Sequence, residues 1–480
     1  MPLTRRTVLS GLPALAVGSR LERMASAAPV RSTYLSYLPD DLAKGGVQCG
    51  IEDLARYTRM KVGGVAITTD ALPKGLRYAS DVGVVLPEWL EVRAIHRFPQ
   101  PDLALGKIKK LSGPDAEPAV YVDCPRPVIT PSGDYLLTII SGKAHYGFTD
   151  PRYKANDILL YRSKDKGKTW NGPFLSTPIS YNQHAWVPLA PKHSKRMYVF
   201  GTEPAPGDFD GFEDAGIASR FSDDDGHTWS EPRRIRPRND PGFQGMWCIN
   251  MTETHTGTWL LAPHAGAYGP GAQANRYRLL STSLYVLRSE DQGQTWTLVP
   301  GKRPGGWQWK PAHRMDEGRP LTLGGGRVVL FARTEEGHLW QLRSTDDGKT
   351  WSEPSPTPLV HPDAPPMIEK LSDGKTIVAL HHNRSTGGGF NRDDRSEVWL
   401  SLSHDNGVTW TEPRFFMSTA TTITRPLFGS EQYCLTYCDL LADDGTLNIF
   451  VPHLWRQVLQ VRMKEAELSR LPTRKDLFGA

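Results

Sequence analysis

Short apolar segments separated by polar turns make up most of the chain from residue 118 onwards. Segments such as 158–161, 284–287 and 398–400 consist of leucine, isoleucine, valine, tyrosine and tryptophan, which is typical of β-strands. Each is followed within a few residues by the phrase Ser-x-Asp-x-Gly-x-Thr-Trp. The phrase occurs five times and returns every 55 to 67 residues, with its aspartates at Asp165, Asp224, Asp291, Asp346 and Asp405. This period indicates a repeated unit, and the strands predict that each unit is a small β-sheet.

The phrase itself predicts a β-hairpin turn. Its aspartate can accept hydrogen bonds from backbone N–H groups across the turn, and its glycine can adopt a positive φ without a Cβ clash. Its tryptophan begins the outgoing strand, where the ring can pack between neighbouring sheets. These roles concern the construction of the sheets and leave the function open.

Six such units are expected. A sixth, without the phrase, runs from residue 426 to 468, and the strand-like segment 89–96 is expected to complete the last sheet, as ring-closing strands do in propellers. The 45 glycines, 39 prolines and 14 tryptophans, without helical heptads, also favour an all-β protein. The predicted fold is therefore an all-β, six-bladed β-propeller over residues 86–480, preceded by a lead-in segment over 29–85.

The first 28 residues are predicted to be a signal peptide. Thr4-Arg5-Arg6 followed by the apolar run 9–17 and a stretch of small residues resembles a twin-arginine export signal. The apolar run is too short to span a bilayer, so we expect cleavage and no membrane attachment of the mature protein. The expected location is the periplasm or the extracellular space. Residues 1–28 hold four arginines and one glutamate, so the formal charge of +5 falls to about +2 after cleavage. This charge, with no basic stripe among aromatics, argues against a nucleic-acid partner.

The five cysteines predict no metal site and no cofactor. Their spacings lack the paired Cys-x-Cys pattern of a zinc site, since they lie at Cys49, Cys124, Cys248, Cys434 and Cys438. One disulfide in an oxidising compartment and buried free thiols are both compatible with the sequence.

The five phrases resemble the Asp-boxes, or BNR repeats, of the sialidase (neuraminidase) superfamily. The resemblance covers roughly residues 85–470 and implies a six-bladed propeller. Asp-boxes also occur in propellers that are not sialidases, so the activity has to be read from residues at the propeller face.

The resemblance implies a tyrosine nucleophile, because a carboxylate would be repelled by the acid group of the substrate. Tyr437, in the stretch 437–445, resembles that nucleophile, and Tyr433 is a second candidate. Glu317 would be its base and Asp150 the proton donor and acceptor. The structural alternatives are an ion pair of Glu317 with a nearby arginine and a core position for Tyr437.

Three arginines are expected to bind the substrate, because guanidinium groups hold a carboxylate through paired hydrogen bonds. Arg333 lies in the stretch 331–334 (Phe-Ala-Arg-Thr), and Arg395 lies eight residues before the fifth phrase. The third is Arg126 in the first unit. The structural alternatives are a surface charge for Arg333 and a solvated ion pair within the charged run 392–395 for Arg395.

The first unit departs from the sialidase pattern. Aligned on Gly133 and Pro125, Asp123 stands where the first substrate-binding arginine is expected, and Lys143 replaces a later one. Arg126 lies three residues after Asp123, so its side chain would point to the same face of the sheet as that of Asp123 only if the strand bulges.

Polar and aromatic residues near the strand ends provide further candidate ligands for a sugar. Imidazole can act as an acid, a base or a hydrogen-bond donor, and rings stack on sugar faces. His264, His382 and Asn383 are the ones we predict to bind substrate, and a structural role is the alternative for each.

Three classes of function remain open. The first is an exported, sialidase-like glycoside hydrolase that removes terminal sugars, expected to be acidic, from glycans. The second is a polysaccharide lyase or an exo-glycosidase for another sugar, which the loss of the first arginine favours. The third is a propeller that binds carbohydrate or protein without catalysis.

Overall fold

The computed structural model describes residues 60–63, 65–67, 71–97, 121–142, 156–175, 186–202, 215–246, 250–268, 279–385, 392–420, 435–453 and 457–479. The predicted signal peptide, the first part of the predicted lead-in segment and Asp150 lie outside these residues. None of the helices in the described ranges is long and apolar enough to cross a membrane.

In the described part of the chain before the first blade there are five strands: β1 (Met60–Val62), β2 (Val65–Ile67), β3 (Leu76–Ala79), β4 (Val84–Pro87) and β5 (Val92–Arg97). The first blade contains β6 (Tyr121–Ile129), β7 (Tyr135–Gly142), β8 (Asn156–Ser163) and β9 (Asn171–Leu175). The second contains β10 (Val187–Leu189), β11 (Met197–Thr202), β12 (Ile217–Ser222) and β13 (Arg233–Arg234). All pairings within these two blades are antiparallel.

The third blade contains β14 (Met251–Glu253) and β15 (Trp259–Leu261), then a separate hairpin of β16 (His264–Tyr268) and β17 (Leu279–Leu284), and then β18 (Val286–Ser289) and β19 (Thr297–Val299). The fourth contains β20 (Met315–Gly324), β21 (Arg327–Thr334), β22 (His338–Ser344) and β23 (Ser355–Val360). The fifth contains β24 (Met367–Lys370), β25 (Ile377–His381), β26 (Glu397–Ser403) and β27 (Arg414–Thr419).

The sixth blade contains β28 (Asp439–Asp443), β29 (Thr446–His453) and β30 (Gln457–Lys464). Its fourth strand is β5, which pairs with β30 and so closes the ring with a strand from near the start of the chain. This confirms the closing role predicted for 89–96. Strands β3 and β4 extend the fifth blade to six strands. Two 3-10 helices (Arg392–Arg395 and Glu465–Arg470) and the helix α1 (Arg474–Phe478) complete the described structure. The predicted all-β, six-bladed propeller is confirmed.

The five repeated phrases form the hairpin turns between the third and fourth strands of blades one to five. In the second blade, Oδ1 of Asp224 accepts hydrogen bonds from the Ser222 hydroxyl at 2.7 Å and the Thr228 backbone N–H at 2.8 Å. Its Oδ2 accepts from the Thr228 hydroxyl at 2.5 Å. Burial would raise the pKa of Asp224, but these bonds outweigh burial and lower the pKa to about 2. Gly226 has a φ of 84°, and a Cβ there would lie 3.0 Å from Leu136 of the first blade.

Three tryptophans of the repeated phrase, Trp170, Trp296 and Trp410, pack against an aromatic ring of the preceding blade, as the sequence predicted. Trp170 meets Phe450 of the sixth blade at 5.7 Å between ring centroids, and Trp410 meets Phe331 of the fourth at 6.2 Å. Both pairs are edge-to-face, a favourable geometry for aromatic rings. The repeated turns therefore lie at the outside of the ring, where they contact neighbouring blades. They are distant from the first strand of each sheet.

We predict that the aspartate of this turn stabilises the propeller. Asp224→Ala removes three accepted hydrogen bonds and is expected to lower the free energy of unfolding by about 1–3 kcal/mol. The neighbouring Asp223 serves as a control, because its carboxylate contacts only the exposed Arg196 among the described residues. Asp223→Ala should cost at most about 1 kcal/mol. Thermal unfolding of both variants at one scan rate tests this, and equal midpoints would contradict it.

Candidate active site

The first strands of neighbouring blades lie against one another around the axis of the ring. Tyr437, two residues before β28, and Glu317, in β20, meet there. The Tyr437 hydroxyl donates a hydrogen bond to Oε1 of Glu317 at 2.6 Å, although the two residues are 120 positions apart in the sequence. Both side chains are buried. A phenol and a carboxylate in direct contact can exchange a proton without an intervening water.

A shared backbone irregularity aims these side chains. Glu317 has a φ of 47° and Tyr437 a φ of 60°, and the pairing of β20 with β21 shifts register between Asp316 and Arg319. The first blade repeats the feature, because Cys124 has a φ of 50° and β6 shifts register between Asp123 and Arg126. Such bulges re-aim side chains, and positive φ at residues other than glycine concentrates at functional sites. The bulge that Arg126 required is therefore present.

Arg333, in β21, binds both partners. Its Nη1 donates to Oε2 of Glu317 at 2.5 Å and lies 3.4 Å from the Tyr437 oxygen. Its Nε donates to Oδ1 of Asp363 at 2.5 Å and lies 3.5 Å from Oδ1 of Asp316. The carboxylate of Glu317 is thus held between Arg333 and Tyr437, one oxygen to each.

Two further arginines complete the cluster. Nη2 of Arg395 donates to the backbone carbonyl oxygen of Asp363, so Arg395 reaches the site through that residue. Arg314 donates through Nε and Nη2 to Oδ2 of Asp316, at 3.0 and 2.9 Å. Four residues predicted from the sequence, Tyr437, Glu317, Arg333 and Arg395, therefore lie in one connected network.

The electrostatics of the network follow from burial and from these contacts. Burial and the charge of Glu317 raise the pKa of Tyr437 well above its ordinary value, although Arg333 and Arg395 oppose the change, so the phenol is protonated at rest. Burial alone would lower the pKa of Arg333, but Asp363, Glu317 and Asp316 outweigh it and raise the pKa. Burial would raise the pKa of Asp316 and of Asp363, but the neighbouring arginines lower both.

Arg126 belongs to a second buried cluster in the first strands. Its Nη1 lies 3.3 Å from Oδ2 of Asp439, whose Oδ1 accepts from Nη2 of Arg319 at 2.8 Å. Nη2 of Arg319 also lies 3.2 Å from Oε2 of Glu369. Arg126, Arg319 and Asp439 each follow the positive-φ residue of their strand by two positions. The structure thus pairs Arg126 with a carboxylate, and substrate binding by Arg126 stays a prediction.

The predicted histidines are fully buried. Nδ1 of His264 accepts the backbone N–H of Glu317 at 3.2 Å, so His264 lies behind the glutamate and supports its backbone. His382 stacks on His361 at 4.9 Å between ring centroids, and its Nδ1 contacts the backbone carbonyl oxygen of Glu397 at 2.6 Å. Burial lowers the pKa of His382 to about 3, so its ring is neutral. Asn383 is half-buried with a φ of 50°.

Several predicted residues lie outside the part of the chain that the structure describes. Asp150 and Tyr433 lie outside the described residues, so their roles stay predictions. Cys124 and Cys438 are buried free thiols, and the other cysteines are outside the described ranges. Within those ranges, no group of three or more histidine, cysteine or acidic side chains could hold a metal ion.

Sequence reasoning missed Asp363 as part of the site. It lies in a proline-rich stretch, 361–366, with no recurrent motif around it. Asp316 and Asp439 lie within stretches that the sequence singled out, but only the fold shows that each carboxylate binds an arginine. One sequence signal could have drawn attention to Asp316, because the pattern Asp-x-x-Arg-Pro occurs at 123–127 and again at 316–320.

A six-bladed propeller with Asp-box turns in five blades defines a protein of the sialidase superfamily. The chain belongs to the family of proteins with a BNR repeat-like domain, which matches residues 148–449.

Two relatives and two solved structures illustrate the similarity. A sialidase of Micromonospora viridifaciens is 25% identical over 337 residues, which cover 61% of this chain and 45% of the relative. A sialidase of Bacteroides fragilis is 25% identical over 310 residues, covering 55% of this chain and 51% of the relative. The chain thus spans about half the length of these curated relatives.

The NanB sialidase structure from Streptococcus pneumoniae has a TM-score of 0.51 at 14% identity, covering 76% of this chain and 70% of that one. The Hadza microbial sialidase Hz136 has a TM-score of 0.51 at 20% identity, covering 73% and 66%. At these identities the likeness supports the fold.

Proposed function

We propose that the protein is a sialidase-type glycoside hydrolase that removes terminal sugars from glycans, with Tyr437 as nucleophile and Glu317 as its base. The observation that carries the proposal is the 2.6 Å hydrogen bond from the Tyr437 hydroxyl to Glu317. The sialidase relatives support the reaction class. From its N-terminal sequence we also propose export by the twin-arginine route, so that the glycan is met outside the cytoplasm.

The first step forms a bond between the Tyr437 oxygen and the anomeric carbon while Oε1 of Glu317 takes the phenolic proton. The bond from the anomeric carbon to the leaving oxygen breaks, and that oxygen receives a proton from Asp150 in the role predicted from the sequence. In the second step Asp150 takes a proton from water, and the water oxygen replaces tyrosine at the anomeric carbon. The proton on Glu317 then returns to the phenol. Two displacements on one carbon retain its configuration.

The contacts of Tyr437 suit this role. Its raised pKa means that the phenol is a weak nucleophile until a base takes its proton, and Glu317 is already in position. Arg333 lies 3.4 Å from the phenol oxygen, so a cation is present where negative charge develops on that oxygen. A propeller that only binds carbohydrate would need neither the bulged backbone nor the tyrosine–glutamate contact, which is why we prefer catalysis.

An assay of the purified chain on aryl glycosides, both acidic and neutral, tests the proposal. We expect at least one to be hydrolysed, and Glu317→Gln to lower kcat on it by about 10²–10⁴-fold, as is typical when a general base is lost. Glu369→Gln is a matched control, because Glu369 is also paired with a buried arginine. Retention of kcat by Glu317→Gln, with its thermal midpoint unchanged, would exclude Glu317 as the base.

A further inference from the structure

The guanidinium group of Arg333 is already engaged by carboxylates of the protein. Nε binds Asp363 and Nη1 binds Glu317, both at 2.5 Å, and Asp316 lies 3.5 Å from Nε. A substrate carboxylate is held in a fork by two N–H groups on one edge, either Nε with Nη2 or Nη1 with Nη2. Each edge contains a nitrogen that is already engaged, because Nε donates to Asp363 and Nη1 donates both to Glu317 and, at 3.4 Å, to the Tyr437 oxygen. Only Nη2 makes no bond to the described residues, so Arg333 can offer a substrate a single contact and no fork.

The charges around this guanidinium balance. Three carboxylates (Asp316, Glu317 and Asp363) face three guanidinium groups (Arg314, Arg333 and Arg395) within the connected network. The lowered pKa values of Asp316 and Asp363 keep both carboxyls charged. Among the described residues of this network there is therefore no excess of positive charge to receive an acidic sugar.

The first blade adds negative charge near this network. Asp123 is buried and accepts a hydrogen bond from the Cys124 thiol at 3.2 Å. Burial raises the pKa of that thiol, and the charges of Asp123 and Glu317 raise it further, although Arg126 opposes them. The arginine of the same bulge, Arg126, is paired with Asp439. An additional carboxylate on the substrate would enter a region that already contains acidic side chains.

We propose that the sugar that reacts at Tyr437 carries no carboxylate on its anomeric carbon, so that the substrate is a glycan that ends in a neutral sugar. This rests on the proposed hydrolase function and reverses the acidic sugar favoured by the sequence. Arg333 is then a positioning residue, which holds Glu317 against Tyr437 and is itself held by Asp363 and Asp316. A neutral sugar needs no charge partner, and the balanced network provides none.

The test compares kcat/KM for aryl glycosides of neutral hexoses, deoxyhexoses and pentoses with that for an aryl α-sialoside and its methyl ester. The ester differs from the acid in lacking the carboxylate charge. We expect a neutral glycoside to be hydrolysed at least about tenfold better than the acid, and the ester to be no worse than the acid. A preference of tenfold or more for the acid over its ester would overturn the inference and leave the hydrolase function standing. If no glycoside is hydrolysed faster than by the Tyr437→Phe variant, both the inference and the proposed hydrolase function are wrong.

A second measurement changes the network. Asp363→Asn removes one carboxylate charge from Nε of Arg333, and we expect the ratio of kcat/KM for acid over ester to rise by about tenfold. Asp123→Asn, at a separate place in the site, should move the ratio in the same direction. Asp223→Asn is the control, since it alters an Arg–Asp pair on the exposed surface and should leave the ratio unchanged. If both site variants fold, as judged by thermal midpoint, and neither changes the ratio, charge balance does not set the specificity.

Discussion

Replacement of Tyr437 with phenylalanine is expected to lower kcat by at least about a thousandfold, because removal of a nucleophile eliminates the covalent route. The change removes only the phenol oxygen, and the ring remains packed in a buried cluster that also contains Cys124 and Tyr285. Oε1 of Glu317 loses its hydrogen bond, which should cost about 1–3 kcal/mol of stability. Steady-state rates on the best substrate and a thermal unfolding curve provide both measurements.

Tyr135 offers a matched control for this prediction. It is also buried, and its hydroxyl donates to Oδ2 of Asp443 at 2.5 Å, so Tyr135→Phe removes the same kind of bond. This variant should lose a similar amount of stability and keep its kcat. If Tyr437→Phe retains more than about a tenth of wild-type kcat, the tyrosine is not the nucleophile.

Arg333→Leu is expected to cause the largest loss of stability. It leaves the carboxylates of Asp363 and Glu317 without their 2.5 Å partner inside the protein. Removal of one member of a buried ion pair typically costs about 3–5 kcal/mol, because the remaining charge stays buried. Activity should fall as well, since Glu317 would no longer be held against Tyr437. Chemical or thermal unfolding compared with wild type measures the effect.

Two further variants test whether the loss of stability in Arg333→Leu comes from burial of its ion pairs. Arg196→Leu breaks an exposed Arg–Asp pair with contacts of 2.6 and 2.7 Å, and should cost no more than about 1 kcal/mol. Arg333→Leu combined with Asp363→Asn should be more stable than Arg333→Leu alone, because one uncompensated charge is gone. An unfolding midpoint for Arg333→Leu equal to that of Arg196→Leu would mean that the network does not stabilise the fold.

The fold was predictable because its signal is local and repeated. Ser222, Asp224, Gly226 and Thr228 make their hydrogen bonds within seven residues, and the same bonds recur in each copy of the phrase. Closure of the ring by the segment 89–96 was also predicted, because that segment is strand-like and propellers close their last sheet with a strand from elsewhere in the chain. Local chemistry that repeats five times leaves little room for another architecture.

The site was predictable only in part. Tyr437, Glu317, Arg333 and Arg395 were found through their resemblance to a family pattern. The ion pair of Arg333 with Asp363 was not predicted, because the two residues are 30 positions apart and Asp363 lies in the connection between the fourth and fifth blades. The bulges at Cys124 and Glu317 were equally hidden, since cysteine and glutamate carry no preference for positive φ. The ion pair and the bulges depend on which strands are neighbours in the closed ring, and only the structure shows that arrangement.

The pairing of β5 with β30 has a consequence for biosynthesis. Arg97 bonds to Gln457, so the two partners are 360 positions apart in the chain. At ~5–20 residues per second, a ribosome needs roughly 20–70 s to make the second partner after the first. During that interval the segment 92–97 has no strand to join, and the edges of the nascent blades stay open. Truncation before residue 457 would therefore deprive a strand near the start of the chain of its partner and leave a ring that cannot close.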